Sequence, residues 1–181
     1  IQELISRSQQ EDAAAFSLLV STFQPLVFRL AFRLLCDEDE AKDMVQETFV
    51  KVWLALGKYN GECRFSTWIY KITCNTCYDR LRSLYHSPLD NEADYSVSVN
   101  ISSDDNVELA VVNKQLRELI LRYTDELSPR QRLIFTLRDI EELDVPEVQT
   151  ITGLSAGIIK TTLYLARKNI RNKMNQIDAG L

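Results

Sequence analysis

The sequence predicts an all-α protein of two helical domains joined by a flexible linker, the second domain containing a helix-turn-helix. Three observations carry that expectation. Apolar residues recur every three or four positions along most of the 181-residue chain. Helix-start signatures precede several of these runs. One stretch, Ser87 to Asn106, breaks the pattern with Pro88, a cluster of Asp, Asn and Ser, and scattered valines. Such a composition buries too little surface to offset the entropy of ordering it, so it reads as linker. The boundaries follow: a first domain over residues 1–86, an acidic linker over 87–106, and a second domain over 107–181.

In order along the chain, Ser8-x-x-Glu11 has the form of a capping box ahead of Ala14, Phe16, Leu18 and Leu19. Pro25 suits the first turn of a second helix, whose apolar positions are Leu26, Val27, Leu30, Ala31 and Leu34. Asp37 and Glu40 can cap a third helix, carried by Met44, Val45, Thr48, Phe49, Val52, Trp53 and Leu56 and stopped at Gly57. A loop with Asn60-Gly61 at its turn leads into a fourth helix from about Ser66 to Leu84, burying Trp68, Ile69 and Ile72. The alternation Val97, Val99, Ile101 inside the linker offers a strand with nothing to pair with. Helical periodicity resumes from Val107 through Leu116, Leu119, Ile120 and Tyr123. Ser128-Pro129-x-Gln131 and Asp144-x-x-Glu147 each start a helix, the latter ending near Gly153. Ser155 caps a last helix with the stripe Ile159, Leu163, Ala166 and Ile170.

Composition narrows the function classes. Hydrophobic residues make up 45% and charged ones 26%, the balance of a globular protein with a real core. No run approaches the roughly 20 apolar residues of a membrane span, and the N-terminal residues lack a signal-peptide pattern. A cytoplasmic protein without membrane insertion is expected. Cys36, Cys63, Cys74 and Cys77 are too few for a disulfide scaffold in a chain this long. Cys74-x-x-Cys77 invites a zinc or redox reading, which Cys36, Cys63 or the single histidine, His86, would have to complete. Its mid-helix placement lacks an activating base, so buried structural thiols are expected, with no metal, cofactor or catalytic residue.

The net charge of −5 argues against unaided nucleic-acid binding, but the charges are segregated. Asp37, Glu38, Asp39, Glu40, Asp43 and Glu47 crowd one segment against Lys42 alone. Lys160, Arg167, Lys168, Arg171 and Lys173 face only Asp178 in the last 34 residues. Separate acidic and basic surfaces point to two kinds of partner.

Three patterns carry that further. The third helix has an acidic face, Asp39, Asp43 and Glu47 with Gln46, beside Val50 and Trp53, which suits a protein partner or a merely solvated surface. Lys71, Asn75, Asp79 and Arg82 share one face of the fourth helix, with Arg64, Arg80 and the aromatics Phe65, Trp68, Tyr70 and Tyr78 nearby. Cations bind phosphates and flat rings stack on unpaired bases, although Phe65 and Trp68 could equally be core. A short helix, the Gly153 turn and a longer basic helix have the helix-turn-helix layout. Lys160, Thr161, Tyr164, Arg167, Lys168 and Arg171 stand off its apolar stripe, and the N–H groups near Ser155 and Ala156 are free for a phosphate. An ordinary amphipathic helix is the alternative.

Together these patterns resemble the extracytoplasmic-function (ECF) sigma factors of the sigma-70 family. The segment from Ala41-Lys42-Asp43-Met44-Val45-Gln46-Glu47 to Phe49-Val50-Lys51-Val52-Trp53 is similar to that family's polymerase-docking helix. Phe65-Ser66-Thr67-Trp68-Ile69-Tyr70-Lys71-Ile72 with Asn75, Asp79, Arg80, Leu81 and Arg82 resembles the segment that reads and opens the −10 promoter element. Leu127-Ser128-Pro129-Arg130-Gln131-Arg132 through Leu137-Arg138-Asp139 resembles the start of the second domain. The resemblance implies a transcription initiation factor and not an enzyme. Its partners would be core RNA polymerase, through the β′ clamp and β flap, promoter DNA and an anti-sigma factor. Polymerase would be bound by Asp43, Gln46, Glu47, Val50 and Trp53. The −10 element would meet Asn60, Arg64, Trp68, Lys71, Asn75, Asp79, Arg80 and Arg82, with the Asn60–Arg64 loop holding a flipped base. The −35 element would meet Ser155, Ala156, Lys160, Thr161, Thr162, Tyr164, Arg167 and Lys168. The chain departs from the family at Thr162 and Leu165, where Arg is common, and at Glu147-Val148-Gln149 in the preceding helix. A stand-alone helix-turn-helix regulator is the rival reading, and a thiol redox protein a second.

Overall fold

The computed structural model describes residues 1–85, 123–124 and 127–179. The linker expected over 87–106, the valine alternation within it, His86 and the helical run from Val107 to Ile120 lie outside the described residues, and with them both domain boundaries.

Every regular element among the described residues is helical. The first unit holds α1 (Gln2–Gln9), α2 (Ala13–Leu35), α3 (Glu38–Ala55) with a 3-10 turn over Leu56–Lys58, and α4 (Phe65–Tyr85). The second holds α5 (Pro129–Phe135), a π-helical turn over Thr136–Ile140, α6 (Val145–Thr152) and α7 (Ala156–Ala179).

Most starts and stops are those the sequence encodes. The Asp37 carboxylate accepts from the N–H groups of Asp39 and Glu40, each at 3.0 Å, which satisfies two donors that a helix start leaves without partners. Both later capping boxes form, Ser128 with Gln131 and Asp144 with Glu147. Gly153, at φ 72°, ends α6 in the left-handed region that glycine enters freely. Two expectations fail. Ser8 caps nothing; its hydroxyl donates to Leu4 O within α1, and Asp12 caps α2 instead, by accepting from Ala15 N at 3.0 Å. Nor does Pro25 begin a helix, because α2 runs through it. An interior proline costs about 3 kcal/mol. Leu19 on one side and Val27, Leu30 and Leu34 on the other are completely or almost completely buried, at roughly 1.5–3 kcal/mol each, so continuing the helix wins.

Contrary to the sequence expectation, α2 is long and apolar enough to cross a membrane by length and composition. Its Leu19, Val27, Leu30 and Leu34 pack instead into the protein interior, so it is the core helix of the first unit.

Two apolar clusters organise the molecule. One lies within the first unit: Ile5, Leu19, Val27, Val45, Phe49, Val52, Leu56, Phe65 and Ile69. The other joins the units. Leu30, Leu34, Leu35, Tyr70, Cys74 and Leu81 from the first meet Leu133, Ile134, Leu137, Val148 and Ile151 from the second. A polar knot seals this seam. The Glu141 side chain is 8% exposed; one oxygen accepts from the Tyr70 hydroxyl at 2.5 Å and the other pairs with Arg33. Arg132 adds a bond to Leu34 O at 3.4 Å. The π-helical turn, closed by Glu141 N on Thr136 O at 2.8 Å, delivers Glu141 to this position.

A buried carboxylate is stable only with such partners, and removing it strands them. Glu141→Ala is therefore expected to lower stability by about 2–3 kcal/mol in urea unfolding. It is also expected to speed alkylation of Cys74, which lies at the same seam, relative to Cys36. Unchanged Cys74 labelling would mean that the knot does not hold the units together.

Candidate functional site

Three exposed faces collect the residues singled out by the sequence. On α3, Asp43, Gln46, Glu47 and Val50 are exposed at helical spacing, while Ala41, Met44, Val45, Thr48 and Phe49 face inward. Trp53 is half-buried and leans on Phe16 at a centroid distance of 4.7 Å. Sequence reading missed Leu54. At 75% exposed it continues the face one turn beyond Val50, and the i, i+4 spacing from Val50 was the available signal. Carboxylates beside bare Val50 and Leu54 make a surface suited to a protein with a basic, partly apolar groove.

The second face lies on α4 and the loop before it. Lys71, Asn75, Asp79 and Arg82 are all exposed and share one stripe, as their spacing predicts. Arg64 is exposed at its N-terminal end. Trp68 is half-buried, stacked on Phe65 at 5.6 Å and tilted against Tyr59 at 5.3 Å, so it is both core wall and partly open ring. Arg80 stands apart from the stripe. Its Nε and Nη2 donate to the two oxygens of Glu40 at 2.6 and 2.5 Å. That bidentate pair ties α4 to α3 and engages one edge of the guanidinium, whose side chain is 37% exposed.

The loop is held from both ends. Gly61 takes φ 80°, and Glu62 N donates to Asn60 Oδ1 at 3.2 Å. The Tyr59 hydroxyl donates to Cys63 O at 2.8 Å. From α1, Gln9 Nε2 donates to Leu56 O and Tyr59 O at 3.1 and 2.9 Å. No local signal could have revealed Gln9, because its partners lie about 50 residues away. Asn60 itself remains exposed.

The third face is the outer side of α7. Ser155 is exposed and caps the helix, accepting from Ile158 N at 3.4 Å. Ala156 is half-buried at the first turn. Lys160, Thr161, Tyr164 and Lys168 are exposed. Arg167 is exposed too, but its Nε and Nη2 donate to Asp139 at 2.8 and 2.5 Å, leaving the Nη1 edge free. Thr162 is the clear miss. It is 9% exposed, on the inward side with Ile159, Leu163 and Ala166, so its side chain cannot reach an external ligand.

Cys74 and Cys77 are buried, and burial pushes the Cys74 thiol well up and the Cys77 thiol up to about 12. They are held as thiols, the form that neither attacks disulfides nor binds metal. Among the described residues no three His, Cys, Asp or Glu side chains gather in a way that could hold a metal ion.

Comparisons with known proteins bear on these faces. Residues 19–86 match the family model for sigma-70 region 2, and residues 117–170 that for sigma-70 region 4. The chain is 30% identical over 182 aligned positions to the ECF RNA polymerase sigma-E factor of Escherichia coli K12, covering 97% of this chain and 95% of that protein. It is 29% identical to the RNA polymerase sigma-H factor of Pseudomonas aeruginosa, with 93% and 91% covered. In fold it resembles CnrH, solved in complex with the cytosolic domain of CnrY, with a TM-score of 0.66, 20% identity and 96% of each chain covered. It also resembles RpoE of Bartonella quintana, solved with the anti-sigma factor NepR, with a TM-score of 0.61, 21% identity and coverage of 88% of this chain and 96% of that one.

The thiols give a test of alkaline stability. In the unfolded chain they ionise near their ordinary value of about 9, whereas the folded protein keeps Cys77 protonated to about 12. The stabilisation is fully present below pH 9 and is lost as pH rises from about 9 toward 12, because only the unfolded state then releases the proton. Denaturation midpoints followed over that window should fall more steeply for the native chain than for Cys77→Ala compared with its own neutral-pH value.

Proposed function

Because the chain belongs to the ECF sigma factors of the sigma-70 family, transcription initiation factors that bring core RNA polymerase to promoters, we propose a specific division of labour among its three faces. The α3 face, with Asp43, Gln46, Glu47, Val50, Trp53 and now Leu54, docks on the polymerase. The α4 stripe, with Arg64, Lys71, Asn75, Asp79 and Arg82, meets the −10 element, while the Asn60–Arg64 loop and Trp68 receive an unpaired base. The α7 face, with Ser155, Ala156, Lys160, Thr161, Tyr164, Arg167 and Lys168, enters the major groove at the −35 element. Arg80 works as a strut between α3 and α4, so that docking of one helix sets the position of the other.

The observation that carries this reading is the order of the two family matches. Region 2 covers most of α2 with α3 and α4, region 4 covers α5, α6 and most of α7, and each includes the exposed polar face that its helices present. Electrostatics supports it. With a net charge of −5, the free protein gains little from phosphate contacts, and the polymerase must supply the remaining attraction. The protein acts in the cytoplasm, where the polymerase is, and contributes no catalytic centre of its own. A stand-alone helix-turn-helix regulator would need to bind its operator unaided, which this charge disfavours.

Two structural neighbours are complexes with CnrY and with the anti-sigma factor NepR. We infer that an anti-sigma factor likewise holds this chain, with the α3 face or the seam between the units covered until release.

Gel shifts on promoter DNA with and without bacterial core polymerase test the reading. A shift is expected only with both proteins, and Asp43→Ala or Gln46→Ala should weaken it by about tenfold or more, the loss expected for a central interface residue. Tight specific binding without polymerase would overturn it.

A further inference from the structure

The outward side of α7 carries apolar surface that contact with phosphates does not explain. Tyr164 is 67% exposed, Ile158 45% and Leu165 42%. The helix turns Ile159, Thr162, Leu163 and Ala166 inward, so Tyr164, Ile158 and Leu165 are not part of the domain core. Ile158, Thr161, Leu165 and Lys168 follow at i, i+3, i+7 and i+10 and therefore lie along one stripe. Single exposed apolar residues are ordinary. Here they run together on a helix whose exposed cations, Lys160, Lys168 and Arg171, border them.

An apolar strip edged by cations fits a polyanion that offers methyl groups inside a groove. Duplex DNA does so at one place on its bases, the thymine C5-methyl in the major groove. A long cationic side chain at the same point would donate to guanine O6 and N7 instead. Leucine has no donor and can gain only by covering a methyl. Arg167, the cation nearest in sequence, has one edge of its guanidinium engaged by Asp139. We propose that Leu165, beside Thr161 and Tyr164, makes this protein select thymine in the −35 element through the C5-methyl group. The proposal rests on the reading of α7 as the −35 helix and names the base chemistry that helix reads.

The test uses holoenzyme assembled from core polymerase and the full chain, with a duplex pool randomised across the −35 and −10 regions. Thymine should be enriched at one or more −35 positions. Remaking the enriched duplex with deoxyuridine there removes only the methyl and should weaken binding about fourfold per methyl. Leu165→Ala, a substitution tolerated at an exposed helical site, should erase the difference between the two duplexes, with helicity checked by circular dichroism. Leu165→Arg should move the preference at that position toward guanine. Equal binding of thymidine and deoxyuridine duplexes by the native chain, or an unchanged penalty in Leu165→Ala, overturns the inference but leaves α7 as the −35 helix. No enrichment anywhere in the −35 region overturns that reading as well. Loss of polymerase binding by Leu165→Ala without DNA would mean that the strip docks on protein, and would also overturn the inference.

Discussion

Helix α4 must bury itself in two places at once, and the rest of the molecule is arranged around that requirement. Phe65 and Ile69 belong to the apolar cluster of the first unit, while Tyr70, Cys74, Cys77 and Leu81 belong to the cluster shared with the second. Thr73 and Thr76 are buried as well. With so many positions turned inward, Lys71, Asn75, Asp79 and Arg82 are what remains exposed from residue 71 to residue 82. The polar stripe is thus the complement of the packing, set by the core behind it.

The same double burial explains why polar groups appear inside. Tyr70 brings a hydroxyl to the seam, Arg33 a charge, and Glu141 accepts from both. Burial and the neighbouring carboxylate push the Tyr70 phenol far above its ordinary range, so it donates at every physiological pH. Such a pairing contributes specificity of fit more than net stability, because desolvation takes back much of the Coulomb gain. It fixes which surface of the second unit meets α4.

Charge is distributed with similar economy. Arg80 and Arg167, both counted from sequence among the DNA-facing cations, each spend one guanidinium edge on an internal carboxylate. The cations left for phosphate are correspondingly few in a chain of net charge −5. The opposite signs of the α3 and α7 faces give the chain two electrostatically distinct surfaces for its two kinds of partner.

Much of this was legible in the sequence. The helical class, the caps at Asp37, Ser128, Asp144 and Ser155, the Gly153 turn and the stripes on α3, α4 and α7 all follow from local rules of periodicity and capping. These signals act within one or two turns, so a sequence contains them outright. What the sequence left undecided depends on atoms brought together from far apart. Whether α2 breaks at Pro25 depended on how much of Val27 and Leu30 the neighbouring helices would cover. How much of Arg80 and Arg167 is left for an outside partner depended on Glu40 and Asp139 arriving beside them. That Thr162 points inward, that Gln9 staples the loop after α3, and that Glu141 closes the seam were likewise settled by tertiary contact. Side-chain roles are decided by burial and by partners, and both exist only once the chain is packed.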